Sequence, residues 1–384
     1  MTSTATTPPV RTTGTAGEYT ALIAAAMLGE YSLLIMPFIL TAMMKGYGAS
    51  EVDAGNLVSL QLLTMGVAGI LVSYALRRVP ARAIVIAAAI LIIVANALCA
   101  LGEQRATLVI GRCLTGLGEG SLMAAAGAIA AGVPNAHRLF SLLGLVIAAV
   151  AAAALLVTPY LFDIVGPRGV FWLLAWSPIA VLATVRWLPS RTTSTDFPIQ
   201  SGGFGIPGAL FTLASFALLW VGASALWVFA EPIGTTGGLT LAQVGSYLAI
   251  AQVAGLAGPI VAARYGERLG LRASIVVGNA VMAVAGLVMV YVSGAVGYGG
   301  GAAFLSIAVM FLAPCFRSQM ASLDPSGRVN ALSVAFYTFG FGLAPAVVGL
   351  LHSPTGGYSD VAALGTAAFV LSGMLVLAAR PARE

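Results

Sequence analysis

Twelve apolar runs follow one another along this chain, each long enough to cross a bilayer as a helix, which takes about 20 residues. They fall near 19–43, 54–76, 83–101, 107–133, 139–162, 169–188, 206–230, 241–263, 273–292, 297–320, 329–351 and 361–379. In a bilayer every backbone polar group must be satisfied within the protein, so runs of this length specify helices. Short stretches of strict alternation, the mark of a membrane β-barrel, are absent. The chain is 59% hydrophobic, well above the roughly 45–50% of soluble domains. The predicted fold is an all-α membrane protein with twelve transmembrane helices in two pseudo-symmetric six-helix bundles.

The connections carry the charge. With both ends of the chain on one side, thirteen of the 18 Lys and Arg fall on that side and three, Lys45, Arg105 and Arg168, on the other. The remaining two, Arg112 and Arg317, lie inside spans. This asymmetry is the positive-inside pattern. It predicts both termini in the cytoplasm, as for a multi-pass protein of the cell inner (cytoplasmic) membrane. The arginines report orientation, so no nucleic-acid partner is expected. Cys99, Cys113 and Cys315 all sit in apolar runs and read as small buried hydrophobes. No HExxH, CxxC or phosphate-cradling loop occurs, so neither metal nor cofactor is expected, and no nucleophile–base pair marks an enzyme.

Residues 189–205, rich in Ser, Thr, Gly and Pro, read as a cytoplasmic linker. They divide an N-terminal bundle, 19–188, from a C-terminal bundle, 206–380. Residues 1–18 read as a disordered cytoplasmic tail. The two bundles match at an offset of about 190 residues: Arg82 opens one helix and Arg272 its counterpart, and Arg138 is echoed by Arg328. Parallel six-helix repeats place a substrate site near the bilayer midplane, between the halves.

The fourth run contains Gly111-Arg112-Cys113-Leu114-Thr115-Gly116-Leu117-Gly118-Glu119-Gly120-Ser121. Insertion scales put one central charge at a cost of roughly 2.5–3.5 kcal/mol. A chain with 8% charged residues carries two here. Seven residues apart, Arg112 and Glu119 share a helix face with about 10.5 Å between them along the axis. That is too far for an easy direct pair. Two readings stand: both line a water-filled cavity, or both belong to a buried structural network. Gly116 and Gly120 form a small-xxx-small pair that admits a close neighbouring helix. Glu30, near the middle of the first helix, is a carboxyl in a low-dielectric setting, which can exist neutral and so bind and release a proton. A neutral, hydrogen-bonded structural Glu30 is the competing reading.

The repeat, the Arg-x-x-x-Gly-x-Gly run at Arg112 and the loop Glu267-Arg268-Leu269-Gly270-Leu271-Arg272 resemble the major facilitator superfamily. The helix 4 run is similar to that family's anion:cation symporter branch. The resemblance implies alternating access, an anion-holding role for Arg112 and a proton-carrying role for Glu119. It implies a cytoplasmic gate latch for Arg268, Gly270 and Arg272. The first copy of the loop, Arg77-Arg78-Val79-Pro80-Ala81-Arg82, lacks the acid and the glycine. Tyr31, Gln61, Trp227, Gln252, Tyr337 and Phe341 fall on helices that form the cavity in this family. They would suit a small organic solute with an apolar body. Gly340, Gly342 and Pro345 permit bending of helix 11, a gating hinge. Glu231, ending helix 7 at the outer side, reads as a rim or gate residue, and Arg317 can snorkel to the headgroups.

Together these features predict a proton-coupled secondary transporter of a small organic solute, an organic anion in the first reading. Proton-driven efflux of an amphipathic compound is the alternative. Glu119 and Glu30 are the proton-coupling candidates, and the expected partners are the solute, protons and the lipid bilayer, with the chain a monomer.

Overall fold

The structure, a computed structural model, describes residues 15–130, 136–189, 207–324, 328–351 and 357–379. The linker 190–205, most of the tail and the side chains of Arg138 and Arg328 lie outside the described residues. No strand occurs among those described.

Eleven helices are long and apolar enough to span a membrane, and a bent pair makes the twelfth. That pair is α1, Ala16–Leu34 and Met36–Tyr47, bent by 53°. Next come α2 (Glu51–Ala75), α3 (Ala81–Leu101), α4 (Arg105–Ala130) and α5 (Ala136–Val165). The sixth span, α6 (Gly169–Trp187), is interrupted after Trp176. The second half comprises α7 (Pro207–Val228, continued by Ala230–Thr236) and α8 (Leu241–Gly255, continued by Ala257–Leu269). It continues with α9 (Leu271–Tyr291), α10 (Gly294–Leu323), α11 (Arg328–Leu351) and α12 (Ser359–Ala378).

Prolines lie at the breaks of α1 and α6 and inside the unbroken α11, and each leaves the carbonyl four residues back without its N–H. Pro37 leaves the Leu33 carbonyl without its helical donor, and α1 bends two residues before it, at Ile35. The freed carbonyl accepts from Trp227 Nε1 of α7 at 2.7 Å. Pro345 frees the Phe341 carbonyl, which accepts from Ser224 Oγ of α7 at 2.7 Å. Pro178 frees that of Leu174, which accepts from Ser177 Oγ at 2.9 Å. Each buried acceptor is satisfied by a side chain, as a low-dielectric interior demands.

The halves meet along two repeat-related seams, α2 against α11 and α5 against α8. Small residues set the approach. A Cβ added to Gly55 of α2 would lie 2.8 Å from the Pro345 carbonyl oxygen, and one on Gly245 of α8 2.8 Å from Pro159. Packing of backbone on backbone is what drives helix association in lipid, where hydrophobic burial contributes little.

Hydrogen bonds between the halves gather toward one end of the bundle, the end carrying the α1–α2 connection. It is called the outer end here, after the charge pattern. Besides Trp227–Leu33, they are Thr41 to Glu231, Ala346 N to Ser59 Oγ at 2.9 Å and Tyr358 Oη to Glu51 Oε1 at 2.8 Å. Among the described residues none joins the halves at the opposite end. There, Arg82 of α3 donates to the Leu188 and Arg186 carbonyls of its own half. The hydrogen bonds between the halves among the described residues therefore lie at the outer end.

Candidate functional site

The α4 glycines build the site. A Cβ on Gly116 would fall on the Gln61 carbonyl, and one on Gly120 on the Met65 carbonyl, so α2 lies directly against α4. Gly29 of α1 packs on the α4 backbone from the other side, where a Cβ would sit 3.1 Å from Met123 N. Glu119 is thereby wedged between α1 and α2, 2% exposed. Its Oε2 accepts from Ser32 Oγ at 2.7 Å and from Gln61 Nε2 at 2.9 Å. Gln61 Nε2 also approaches Ser32 Oγ at 2.8 Å. Both donors converge on Oε2, leaving Oε1 as the oxygen that can take a proton without breaking them.

Arg112 sits one Gln61 amide away. Its Nη1 donates to Gln61 Oε1 at 3.0 Å, and Nη2 donates to Asn96 Oδ1 and, at 3.2 Å, to Thr115 Oγ1. Cys99 Sγ lies 3.6 Å from the same nitrogen, and the guanidinium stacks 4.9 Å from the Phe171 ring centroid. The arginine is 0% exposed and its Nε is buried with no hydrogen-bond partner. No carboxylate pairs with it; the ion pair among the described residues is Arg105–Asp53, at the outer surface. Such an exposed pair contributes about 0–1 kcal/mol. The sequence left open whether Arg112 and Glu119 line a cavity or form a buried network. The structure joins them in a buried network through Gln61, and Arg112 is sealed from solvent.

Glu30 has a different setting. It is half-buried and, among the described residues, is the charged one lining a cavity of about 170 Å³. The walls come from α1 (Leu22, Ile23, Ala26), α4 (Met123, Ala126, Gly127, Ala130) and α5 (Leu139, Leu143). The positive charge acting on Glu30 is Arg317 of α10, in the other half, and the Glu30 charge acts in turn on Tyr337. Arg317, exposed, thus lies within electrostatic reach of Glu30, a relation its position in sequence did not suggest.

In the second half, rings fill the interior. Trp220 and Tyr337 meet edge to face at 4.5 Å between centroids, and Phe341 lies 6.0 Å from each. Phe216 joins Trp220 at 6.1 Å and Phe316 at 5.2 Å. The Trp220 indole N–H is buried with no partner.

The remaining sequence candidates scatter. Tyr31 is 7% exposed and Gln61 is sealed in the network. Trp227 pins the halves at Leu33, and Gln252 is half-buried on α8. Gly270 has φ of +80° at the start of α9, a conformation glycine adopts without strain. Arg268 is exposed and Arg272 half-buried beside it; the Glu267 side chain lies outside the described residues. Gly340 packs on the Ala217 backbone of α7, Gly342 on Leu62 and Leu63 of α2, and Pro345 is buried at Gly55.

Ser32, Thr115 and Phe171 went unread in the sequence. A serine or threonine inside an apolar helix ordinarily bonds its own turn, as Thr64, Ser121 and Thr158 do here. Ser32 differs only in its neighbour, which the sequence does not show.

The chain matches the family model described as Major Facilitator Superfamily over residues 20–345. Among solved structures, a D-xylose-proton symporter superposes with a TM-score of 0.75 at 16% identity, covering 94% of this chain and 96% of that one. A bacterial homolog of the human lysosomal transporter Spinster, in an inward-facing and unoccupied conformation, gives 0.71 at 13% identity, with 94% of each chain covered. No curated protein matches.

Proposed function

This chain belongs to the major facilitator superfamily, a family of membrane transporters, and from that premise we propose that it moves a small organic solute by alternating access, coupled to protons through Glu119. The observation that carries the reading is the arrangement at Glu119 Oε2. Two donors hold one oxygen while Gln61 relays the Arg112 charge to the same carboxyl. Arg112 stays charged at any workable pH, so it cannot release the proton. It favours the ionised carboxylate from one amide away, and burial at 2% exposure opposes that ion. A carboxyl balanced between these effects changes protonation when the packing of α1 and α2 around it changes. Alternating access supplies such a change.

The solute in our reading has an apolar body that meets Tyr337 and Phe341, with Tyr31, Trp227 and Gln252 as further contacts. An organic anion is the first candidate. Arg317 is the cation open to it, and Arg112 acts from within the bundle through Gln61. Arg268, Gly270 and Arg272 latch the cytoplasmic side, and α11 bends at Gly340, Gly342 and Pro345. The alternative, proton-driven efflux of an amphipathic compound, is favoured by one observation: an acid, Glu30, stands among the described residues of the cavity wall.

Purified protein in proteoliposomes, screened with carboxylates and with cationic amphiphiles, tests both. Proton influx with acid uptake supports symport, and exchange of a cationic compound for protons supports the alternative. No solute-induced proton flux with either class, in a preparation that transports, removes the coupling.

A further inference from the structure

Glu231 sits at the outer end of α7, where the halves are joined, and it takes no part in the Glu119 network. It is 2% exposed. Its Oε2 contacts Thr41 Oγ1 of α1, across the seam, and its Oε1 is buried with no hydrogen-bond partner. Around it stand Lys45 on the outer part of α1, Tyr298 of α10, and Tyr358 at the start of α12. Tyr298 donates to the Ala230 carbonyl at 2.8 Å and Tyr358 to Glu51 at 2.8 Å, so neither hydroxyl proton serves Glu231. Thr235 Oγ1 bonds the backbone carbonyls of Glu231 and Pro232 at 3.1 and 3.3 Å and also lies within reach of the Glu231 carboxyl, so its one hydrogen is divided among three acceptors. Lys45 is exposed, and its charge acts on Glu231 from the surface.

The hydrogens can be counted. Thr41 Oγ1 faces two acceptors, Glu231 Oε2 and the Pro37 carbonyl at 3.2 Å, and has one hydrogen. If Glu231 is ionised, one acceptor of Thr41 goes without, and the buried anion has at most a share of the Thr235 hydrogen for its second oxygen, a costly arrangement. If Glu231 is protonated, its hydroxyl donates to Thr41, which donates onward to Pro37, and the buried charge is gone. The closed seam therefore suits the acid. Parting the seam admits water and Lys45 to the carboxylate and suits the ion.

We propose that Glu231 is a second proton-binding site, which closes the outer gate when it takes a proton from outside and opens it when the proton leaves. This goes beyond the transport reading: the proton at Glu119 couples, and the proton at Glu231 gates. The sign follows directly. The closed gate binds one proton more than the open gate, so closure is favoured as outside pH falls. One proton changes the closed-to-open ratio by up to tenfold per pH unit within the titration window.

The test uses the full chain in lipid nanodiscs, with Cys99, Cys113 and Cys315 replaced and spin labels at Glu103→Cys and Ser293→Cys. These positions are exposed, at the outer end of each half. Distance distributions by pulsed electron resonance should move from long to short as pH falls. Glu231→Gln, a permanent acid mimic, should stay short at every pH. Lys45→Met, at an exposed position that leaves packing intact, should move the midpoint to higher pH, because the cation favouring the ion is lost. Glu119→Gln should keep a pH response at these labels, which separates this site from the coupling one. A wild-type distribution that ignores pH overturns the proposal. So does a Glu231→Gln protein that still follows it, or a Lys45→Met midpoint that does not rise.

Discussion

The two halves share one helix plan and fill it with opposite chemistry. Helices α2 and α8 start 190 residues apart, at Glu51 and Leu241, as do α3 and α9, at Ala81 and Leu271. At that offset, Ser32, Gln61, Arg112 and Glu119 become Gly222, Ala251, Ala302 and Val309. The entire polar network of the first half is small and apolar in the second. The reverse holds beside it. Phe216, Trp220 and Phe316 correspond to Ala26, Glu30 and Ala126, three residues lining the cavity of the first half. Where one half packs rings, the other leaves about 170 Å³ and a carboxyl. A repeat constrains backbone geometry and seams. It leaves the interior free to specialise, one half toward proton chemistry and the other toward an apolar wall.

The largest break in this asymmetry is Glu119→Gln. It should erase gradient-driven accumulation, with inside solute no higher than outside, while counterflow exchange continues, because a neutral amide mimics the protonated acid. Full concentrative uptake by this variant would move coupling to the other buried-half carboxyl, Glu30.

Arg112→Ala comes next. It strips Gln61 and Asn96 of their cationic donor and leaves a void against Phe171. Hydrogen bonds to charged groups contribute roughly 1.5–3 kcal/mol each, so thermal unfolding in detergent should drop by several degrees. Arg112→Lys keeps the charge but cannot reach both partners with a planar fork. Its loss should be smaller, and proton-coupled uptake should slow while exchange persists. An unfolding temperature equal to wild type for Arg112→Ala would mean the buried network does not hold the half together.

Ala26→Phe copies the second half into the first, since Phe216 occupies the matching position. A ring in the Glu30 cavity should weaken solute binding, read as about a tenfold rise in KM with kcat little changed, a loss of about 1.4 kcal/mol of binding. An unaltered KM would remove that cavity from the solute path and leave the ring wall of α7 and α11 as the whole apolar contact.

Much of this was legible beforehand, for identifiable reasons. Span length and the Arg82–Arg272 spacing are consequences of bilayer thickness and duplication, so twelve helices and two bundles could be read directly. Arg112 and Glu119 stood out because charge in an apolar run is costly. Their connection was not legible: seven residues of helix separate them, and the bridge is an uncharged Gln61 on another helix. A proline such as Pro37 inside an apolar run is a signal for a bend, but nothing in the sequence says that the Leu33 carbonyl it frees is met by Trp227 from the opposite half. Glu231 read only as a rim residue, because its burial depends on a seam between helices far apart in sequence. In each case the missing information was which helix faces which, and small residues such as Gly116 and Gly55 set that by admitting a neighbour's backbone.

The finest probe of the comparison is Trp220→Phe, at the position where the first half has Glu30. The Trp220 ring stands edge to face with Tyr337 at 4.5 Å and packs near Phe216 and Phe341. Its buried N–H has no partner, so the indole carries a desolvation cost of roughly 1–3 kcal/mol that a phenyl does not. The smaller ring gives up some contact area and part of an edge-to-face interaction worth about 0.5–1.5 kcal/mol. The two terms oppose each other and are of similar size. The unfolding temperature should therefore stay within a few degrees of wild type if the wall is only a wall. If the N–H instead donates to the solute, stability will again change little, but solute affinity will fall. Thermal unfolding and solute KM measured on the same preparation separate these outcomes: a large KM rise with unchanged stability makes Trp220 a solute-binding residue, and no change in either leaves it as packing.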